Sequence, residues 1–423
     1  MSNTCDTGIE LGENLSTVRR MAAYLAILLV YLFYCYNFYI LSVLGPFMTT
    51  QLDFTNSNFA LLFSLMSFGT LFGTIIAGKV ALKWGRKIAL MVLGVSFSLF
   101  TYAHIVAPES FAVWAVFRFL TGVALGGVFG TAVSLIVGLF PQKYRGRLTS
   151  FASCLFAVSG VIAGKVAEVF MESDWSMVLW FGIIPTLIGV VLVYFLVPSD
   201  LAIAQKNREQ ALVKKEKLGY GGMLKGKYFW VAILAVFLSG MNFSGYSGFT
   251  QFVPIYLQDG LGMTVQEWSR MVQIQNVGHF LGFIMWGFIA DSVGRKKNIL
   301  GMMLCAIIIP VYMGLSIEYI YLLFAMSFLY GIGLGYSGVW GAYYTEMFPA
   351  KYRALSSGFC FNMGRIISMV TVYGIGVVAD DLGMKVGLLI PSLFFALGCV
   401  AWMLLPETLT KPSVIYKTKA EIA

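Results

Sequence analysis

The chain has 423 residues, of which 59% are hydrophobic and only 12% are charged, and its mean hydropathy is +0.81. Soluble domains average about 25% charged residues, so this composition excludes an ordinary soluble globular protein and indicates a membrane protein. The net charge of +9 does not indicate nucleic-acid binding, because no stretch is polar enough to form a basic folded domain.

Twelve apolar stretches follow a polar N-terminal tail. A helix needs about 20 apolar residues to cross a bilayer, and such stretches lie at 22–46, 58–78, 88–106, 111–138, 148–170, 177–197, 228–257, 268–290, 298–317, 319–345, 355–379 and 385–405. We predict an all-α integral membrane protein with twelve transmembrane helices in two pseudo-symmetric six-helix bundles. Its parts are a tail (1–20), the first bundle (21–197), a linker (198–227), the second bundle (228–405) and a second tail (406–423). Residues 201–218 of the linker predict either an amphipathic surface helix or a charged, solvated loop.

The distribution of Lys and Arg predicts the orientation. Both tails, the linker and every second loop hold most of the 29 basic residues. The opposite loops hold Arg270, Lys385 and several acids. Because basic loops stay on the cytoplasmic side, we expect both termini in the cytoplasm and the protein in a bacterial inner membrane.

The second half of the chain repeats features of the first half in the same order. The stretch 78–87 (GKVALKWGRK) has a counterpart at 287–297 (GFIADSVGRKK). Aligning Gly85 with Gly294, 209 positions later, also aligns Gly122 with Gly331 and Gly126 with Gly335. Solenoid repeats have periods of about 20–50 residues, so a repeat this long instead suits a duplicated membrane bundle with parallel halves.

These motifs resemble the major facilitator superfamily. The family's loop between helices 2 and 3 reads G-x-L-a-D-r-x-G-r-k, and helix 4 carries R-x-x-x-G-x-x-x-G, which matches Arg118, Gly122 and Gly126. The resemblance implies a transporter with a central cavity between the halves. It also implies that the two loops close the cytoplasmic side, through the residues Gly78, Gly85, Arg86, Asp291, Gly294 and Arg295. Leu82 replaces the acid of the first loop, so Asp291 should carry most of this latch, facing the N-terminus of span 5.

Charged side chains inside the predicted spans are candidates for function, because burying a charge in a membrane is costly. Arg365 lies near the middle of span 11 with no acid in its own helix, so it is the first candidate ligand for an anion. Arg118 in span 4 is the second, although a structural or gating role competes. Lys165 and Glu168 in span 5 lie near the outer mouth and have the spacing of a local ion pair.

Uncharged polar residues near mid-depth could complete a substrate site. They are Asn37, Asn242, Tyr246, Gln251, Gln275, Asn276, His279, Tyr343 and Tyr344. His279 could carry a proton or could form an ordinary interhelical hydrogen bond. No metal site, nucleophile or cofactor motif is evident, so we expect neither an enzyme nor a bound cofactor.

The flanking residues look most like metabolite:proton symporters for aromatic acids, sialate or monocarboxylates. Those families show D-G-F-D in span 1, where this chain has Tyr34-Cys-Tyr-Asn37. Proton coupling would then fall to Glu168 or His279. We therefore predict a monomeric importer of a carboxylate-bearing metabolite. The alternatives are an exporter of hydrophobic or cationic compounds, an uncoupled facilitator for a neutral solute, and a non-transporting membrane scaffold or sensor.

Overall fold

The computed structural model describes residue 11 and residues 15–202, 226–348 and 353–409. Regular secondary structure in these ranges is helical. Most of both predicted tails and of the linker, including residues 203–218 of its amphipathic stretch, lies outside the described residues. The helices of the first half are α1 (Thr17–Gln51), α2 (Asn56–Trp84), α3 (Arg86–Val106), α4 (Phe111–Leu125), α5 (Val128–Leu139), α6 (Gln142–Phe170) and α7 (Ser176–Leu196).

The second half continues the same plan. Its helices are α8 (Lys227–Thr250), α9 (Val253–Ile255), α10 (Val265–Ser292), α11 (Ile299–Gly314), α12 (Ile320–Leu334), α13 (Trp340–Glu346), α14 (Arg353–Leu382) and α15 (Met384–Leu404). Eleven helical stretches of the described chain are long and apolar enough to cross a membrane. The 28-residue α10 lies within the same range of lengths and carries charged residues near both of its ends, Glu267 and Arg270 near the first and Asp291 near the second. Together they form the twelve spans of the predicted fold.

The two ends of this bundle differ in charge. We call the end where α2 meets α3 and α10 meets α11 the basic face; it carries the loops around Gly85 and Gly294. The opposite end, where α1 meets α2 and α14 meets α15, is the acidic face. It carries Asp53, Asp380 and Asp381.

Glycines bring two helix pairs into backbone contact, one pair in each half. A Cβ added at Gly122 of α4 would lie 2.0 Å from the carbonyl oxygen of Met66 in α2. At the equivalent Gly331 of α12 it would lie 1.9 Å from the carbonyl oxygen of Gln275 in α10. Three further pairs 209 positions apart meet neighbouring backbone at 2.4 Å or less: Gly69 and Gly278, Gly73 and Gly282, and Gly126 and Gly335. Only a residue without a side chain permits this approach.

Three of the predicted spans are not continuous helices. Span 4 is interrupted at Gly126, whose carbonyl oxygen accepts a hydrogen bond from Thr74 Oγ1 at 2.9 Å. Span 10 changes to a 3-10 helix over Gly335–Val339, at the equivalent position. Span 7 is interrupted between α8 and α9, and a π-helix follows over Tyr256–Gly260. The interruptions of spans 4 and 10 lie at equivalent positions because the equivalent glycines, Gly126 and Gly335, both pack against neighbouring backbone.

Contacts between nearly equivalent residues locate the axis that relates the halves. Tyr246 Oη donates to Tyr39 Oη at 3.3 Å, and Ser42 Oγ donates to the carbonyl oxygen of Thr250 at 2.8 Å. The partners are 207 and 208 positions apart, within two positions of the 209-residue repeat. Residues that contact a position so close to their own repeat equivalent lie beside the symmetry axis, so the axis passes between α1 and α8.

Gly122→Ala should destabilise the protein, since the added methyl group would force α2 and α4 apart. Overpacking of this kind costs about 1–3 kcal/mol. Thermal unfolding in detergent would measure the loss. The control is Gly130→Ala, where an added Cβ has no atom within 4 Å. Equal melting temperatures for the two variants would show that the close approach is not needed.

Candidate functional site

Arg365 lies where the two halves meet. It projects from α14, and its Nη1 donates to Thr70 Oγ1 of α2 at 3.1 Å. The guanidinium carbon lies 5.4 Å from the ring centroid of Phe243, and Tyr34 of α1 interacts with it electrostatically. Within the described residues no carboxylate pairs with Arg365. The structure thus places a cation between the halves with only neutral partners.

A chain of polar contacts crosses between the halves near α1 and α8. Tyr39 Oη donates to Asn276 Oδ1 of α10 at 2.8 Å and accepts from Tyr246 at 3.3 Å. Gln251 Nε2 donates to the carbonyl oxygen of Phe38 at 3.4 Å. Sequence reasoning selected Tyr246, Gln251 and Asn276 but missed Tyr39, because only the fold shows which tyrosine of the aromatic span 1 faces the other half.

Two of the predicted polar residues are held within their own halves. Asn37 Oδ1 accepts from Thr101 Oγ1 of α3 at 3.0 Å, and Asn242 Oδ1 accepts from Tyr336 Oη at 2.6 Å. Both asparagines are buried. Their side-chain oxygens are therefore already engaged in hydrogen bonds between helices of one half.

His279 and Gln275 lie on one face of α10, as their spacing predicts, and both are buried. The imidazole stacks on Phe283 with ring centroids 4.4 Å apart and lies 6.4 Å from Phe156 of the other half. Neither ring nitrogen has a hydrogen-bond partner within the described residues. His279 is therefore a buried imidazole that packs among aromatic rings.

The prediction that Tyr343 lies at mid-depth is wrong. Its hydroxyl donates to the carbonyl oxygen of Pro406 at 2.7 Å, and its ring packs on Trp402 at 6.1 Å. Because α13 ends at Glu346, only three residues further on, Tyr343 lies near the basic face.

Glu168 connects the halves close to the acidic face. Its carboxylate accepts from Lys165 at 2.9 Å on its own helix, and from Arg270 at 3.1 Å and Gln273 at 2.8 Å on α10. The Glu168 side chain is 11% exposed, whereas Lys165 and Arg270 are about 60% exposed. The local ion pair expected from the sequence therefore exists, and Arg270 extends it across the interface.

Further contacts close the acidic face. The Asp380 carboxylate accepts from the backbone N–H groups of Asn56 at 2.8 Å and Ser57 at 2.9 Å, at the start of α2. Asp259 accepts from Thr49 at 3.1 Å. A carboxylate at a helix N-terminus satisfies otherwise free N–H groups and meets the positive end of the helix dipole. The halves are thus held together on this side by acids on helix ends.

On the basic face each predicted gating loop binds an acid that follows the last helix of its own half. At Gly85 the backbone φ is +91°, and an added Cβ would lie 2.5 Å from the Asp200 carboxylate. At Gly294 the backbone φ is +135°, and an added Cβ would lie 2.6 Å from the Glu407 carboxylate. Asp200 accepts from Arg86 Nε and from the Arg86 backbone N–H, both at 2.8 Å. Asp200 was not predicted from the sequence, because its partner Arg86 lies 114 positions away.

Glu407 forms the corresponding site in the second half. Burial by itself would raise the pKa of its carboxyl, but hydrogen bonds from four backbone N–H groups outweigh burial and hold the pKa below its usual range. The donors are Leu409, Lys296, Arg295 and Thr408. Such bonds favour the ionised form of a carboxyl.

Asp291 also contacts its own half in this structure. Its carboxylate pairs with Arg295, which also binds Glu346 at 3.2 Å. The Asp291 side chain is 73% exposed. The predicted contact with the N-terminus of span 5 stays a prediction for a state in which the basic face closes. A Cβ added at Gly78, another predicted gate residue, would have no atom within 4 Å.

Comparison with known families agrees with this architecture. Residues 27–315 match the model of the family described as Major Facilitator Superfamily, and residues 227–417 match the model described as Sugar (and other) transporter. The chain belongs to the Major Facilitator Superfamily. It is therefore a multi-pass membrane transporter and not an enzyme.

Several curated members of the superfamily resemble the chain over most of its length. The cis,cis-muconate transport protein of Acinetobacter baylyi is 27% identical over 80% of this chain and 83% of its own length. The gentisate transporter of Corynebacterium glutamicum is 22% identical over 95% and 91%. The sialic acid transporter NanX of Escherichia coli is 24% identical over 80% and 82%.

Solved structures of the superfamily show the same fold. A D-xylose-proton symporter superposes with a TM-score of 0.75 at 17% identity, covering 92% of this chain and 99% of that one. The xylose transporter of E. coli in its inward open conformation gives a TM-score of 0.72 at 16% identity, covering 93% and 98%.

Asp380→Asn should loosen the closed acidic face, since the amide loses the charge that favours the α2 N-terminus. A contact of this kind contributes about 1 kcal/mol, or about fivefold in the ratio of closed to open states. Electron–electron distance measurements between spin labels at Gln51→Cys and Lys385→Cys, in a background without native cysteines, would report the change.

Asp381→Asn is the matched control, because Asp381 is exposed and makes no hydrogen bond within the described residues. We expect its distance distribution to match that of the unchanged protein. If Asp380→Asn behaves like this control, the carboxylate does not hold the acidic face closed.

Proposed function

We propose that the protein imports a small carboxylate-bearing organic acid by alternating access, as a proton symporter in a bacterial inner membrane. The observation that carries the proposal is Arg365, a cation between the two halves that no carboxylate neutralises within the described residues. Nη1 donates to Thr70 at 3.1 Å, and Tyr34 is its other polar neighbour. Both partners are neutral, so they do not compensate the positive charge. A guanidinium binds a carboxylate through two parallel hydrogen bonds, which suits this ligand class.

The names of the relatives support the same ligand class. Muconate, gentisate and sialic acid, which name three of the relatives, all carry a carboxylate. The Phe243 ring under the guanidinium offers a flat apolar surface beside the charge. Such a combination suits an unsaturated or aromatic acid, whose carboxylate binds the cation while its carbon skeleton packs on the ring.

The positive-inside rule places the basic face in the cytoplasm together with both termini. The acidic face then faces the periplasm, and its contacts at Asp380 and Glu168 close the outer side. We assign the structure to an inward-facing arrangement on this basis. Import requires these outer contacts to break and re-form in each cycle.

Glu168 is the proposed proton carrier. Its ionised form is held by Lys165, Arg270 and Gln273, so protonation removes the charge that binds Arg270 of the other half. Protonation from the periplasm therefore favours opening of the side from which the substrate enters. His279 is the second proposed carrier, because its nitrogens have no partner within the described residues.

An uncoupled facilitator is the second candidate function. It is favoured by Tyr34 and Asn37, which stand where related symporters carry acids in span 1. Export of cationic compounds is disfavoured, because a cation would meet the unneutralised Arg365. Accumulation of substrate against a gradient separates the coupled importer from the facilitator.

Arg365→Ala should abolish measurable binding of a carboxylate substrate, because loss of one partner of a buried charge contact costs about 2–5 kcal/mol. Arg365→Lys should retain some binding but transport more slowly, since the ammonium lacks the planar fork. Uptake of labelled muconate or gentisate into proteoliposomes would measure both. Lys385→Ala removes an exposed cation as the control. Normal uptake by Arg365→Ala would exclude Arg365 as the anion ligand.

Glu168→Gln should preserve exchange of substrate across the membrane and end its accumulation under a pH gradient, because the amide cannot take up a proton. The control is Glu172→Gln: Glu172 accepts from Gln266 across the same interface at 3.1 Å but pairs with no cation within the described residues. A Glu168→Gln variant that still concentrates substrate would transfer the coupling role to His279, which His279→Gln would test in the same assay.

A further inference from the structure

Arg118 is a second cation without a counter-charge, and it lies inside the first half. Its side chain has 0% exposure, and Nε, Nη1 and Nη2 have no hydrogen-bond partner within the described residues. The guanidinium lies 5.5 Å from the ring centroid of Trp114, one turn earlier on α4. An aromatic face attracts a cation, but a ring does not satisfy the five N–H donors of a guanidinium.

The groups around Arg118 are also unsatisfied. Thr121 lies one turn further along α4, and its Oγ1 is buried without a partner within the described residues. His104 of α3 packs on Trp114 with ring centroids 4.4 Å apart; its Nδ1 contacts the carbonyl oxygen of Thr101 at 3.1 Å, and its Nε2 has no partner there. Because a carbonyl oxygen only accepts, Nδ1 carries the proton, and Nε2 of the neutral imidazole is an acceptor. The unsatisfied donors of the cluster are therefore the N–H groups of Arg118 and the hydroxyl of Thr121.

Asn37 of α1 is a neutral amide that connects to this cluster. Its Oδ1 accepts from Thr101 Oγ1 at 3.0 Å, and Thr101 contacts His104 in turn. Asn37 therefore belongs to the same connected cluster of α1, α3 and α4, and it contributes no negative charge.

We infer that Arg118 and Thr121 form a binding site for a small monovalent anion within the first half. Water could satisfy the free donors, but it would leave the buried positive charge uncompensated, which is the larger cost. An anion would do both. A halide ion and the carboxylate of the transported acid share the required chemistry. The site differs from that of Arg365, which is only partly buried and lies between the halves.

The test is thermal unfolding of the purified full chain in detergent at constant ionic strength, with sulfate replaced stepwise by chloride or bromide. A ligand that binds only the folded state raises the melting temperature with a saturable dependence on its concentration. A parallel titration with muconate in halide-free buffer distinguishes the carboxylate source. Bromide would also appear as an anomalous-scattering peak beside Arg118 in crystals. A melting temperature that shows no saturable response to halide or muconate would overturn the inference.

Variants connect the response to this site. Arg118→Gln should abolish it. If that variant fails to fold, Asn37→Asp decides, since it supplies a nearly isosteric fixed negative charge and should make stability independent of the added anion. Arg365→Gln is the matched control: it should lose carboxylate transport and keep the halide response, so the failure of one site is distinguishable from the failure of the other. A response that persists unchanged in Arg118→Gln or in Asn37→Asp would contradict the site.

Discussion

The cost of an uncompensated charge in an apolar interior is the constraint on which this structure depends. Three of the acids have partners that compensate their charge. Glu168 pairs with Lys165 and Arg270, and the carboxylates of Asp200 and Glu407 each accept several hydrogen bonds. The two arginines inside the spans, Arg118 and Arg365, do not meet acids within the described residues. Arg365 contacts the hydroxyl of Thr70 and the ring of Phe243. Arg118 lies over the indole ring of Trp114. The interior thus carries an excess of positive charge, and recognition of anions follows from it.

Contacts within the halves and between them differ in kind. Within each half, glycines such as Gly122 and Gly331 bring helix backbones into direct contact, and separating such surfaces would lose extensive packing. Between the halves near the acidic face, the contacts are hydrogen bonds and partly exposed ion pairs, such as Asp380 with the α2 N-terminus. Each of these is worth about 1 kcal/mol. The halves can therefore move as bodies while the interface rearranges, which is what alternating access requires.

Much of the fold was predictable because membrane constraints act on local sequence. Apolar length indicated the spans, and the spacing of Gly85, Gly122 and their counterparts indicated the repeat. The helix interruptions near Gly126 and Gly335 were not predicted, since they arise from a neighbouring helix: Thr74 takes up the Gly126 carbonyl. Arg365 and Glu168 were singled out because charges in spans are conspicuous. The sequence did not single out a second group of polar residues, because such residues become significant only through partners distant in sequence. These residues are Tyr39, His104, Arg270 and Asp380.

The sequence by itself determined the class of protein, the number of spans, the duplication and the presence of cations inside the membrane, because composition, length and periodicity are properties of a chain read locally. The tertiary structure alone decided which charges are neutralised. Glu168 pairs with Arg270, which is 102 positions away in the sequence, and Asp200 pairs with Arg86, which is 114 positions away. Tyr343 lies near the basic face and not at mid-depth. A charged side chain acquires such a partner only when helices remote in sequence pack side by side. Helix packing therefore decided which charged residues form ion pairs and which cations have no carboxylate partner within the described residues.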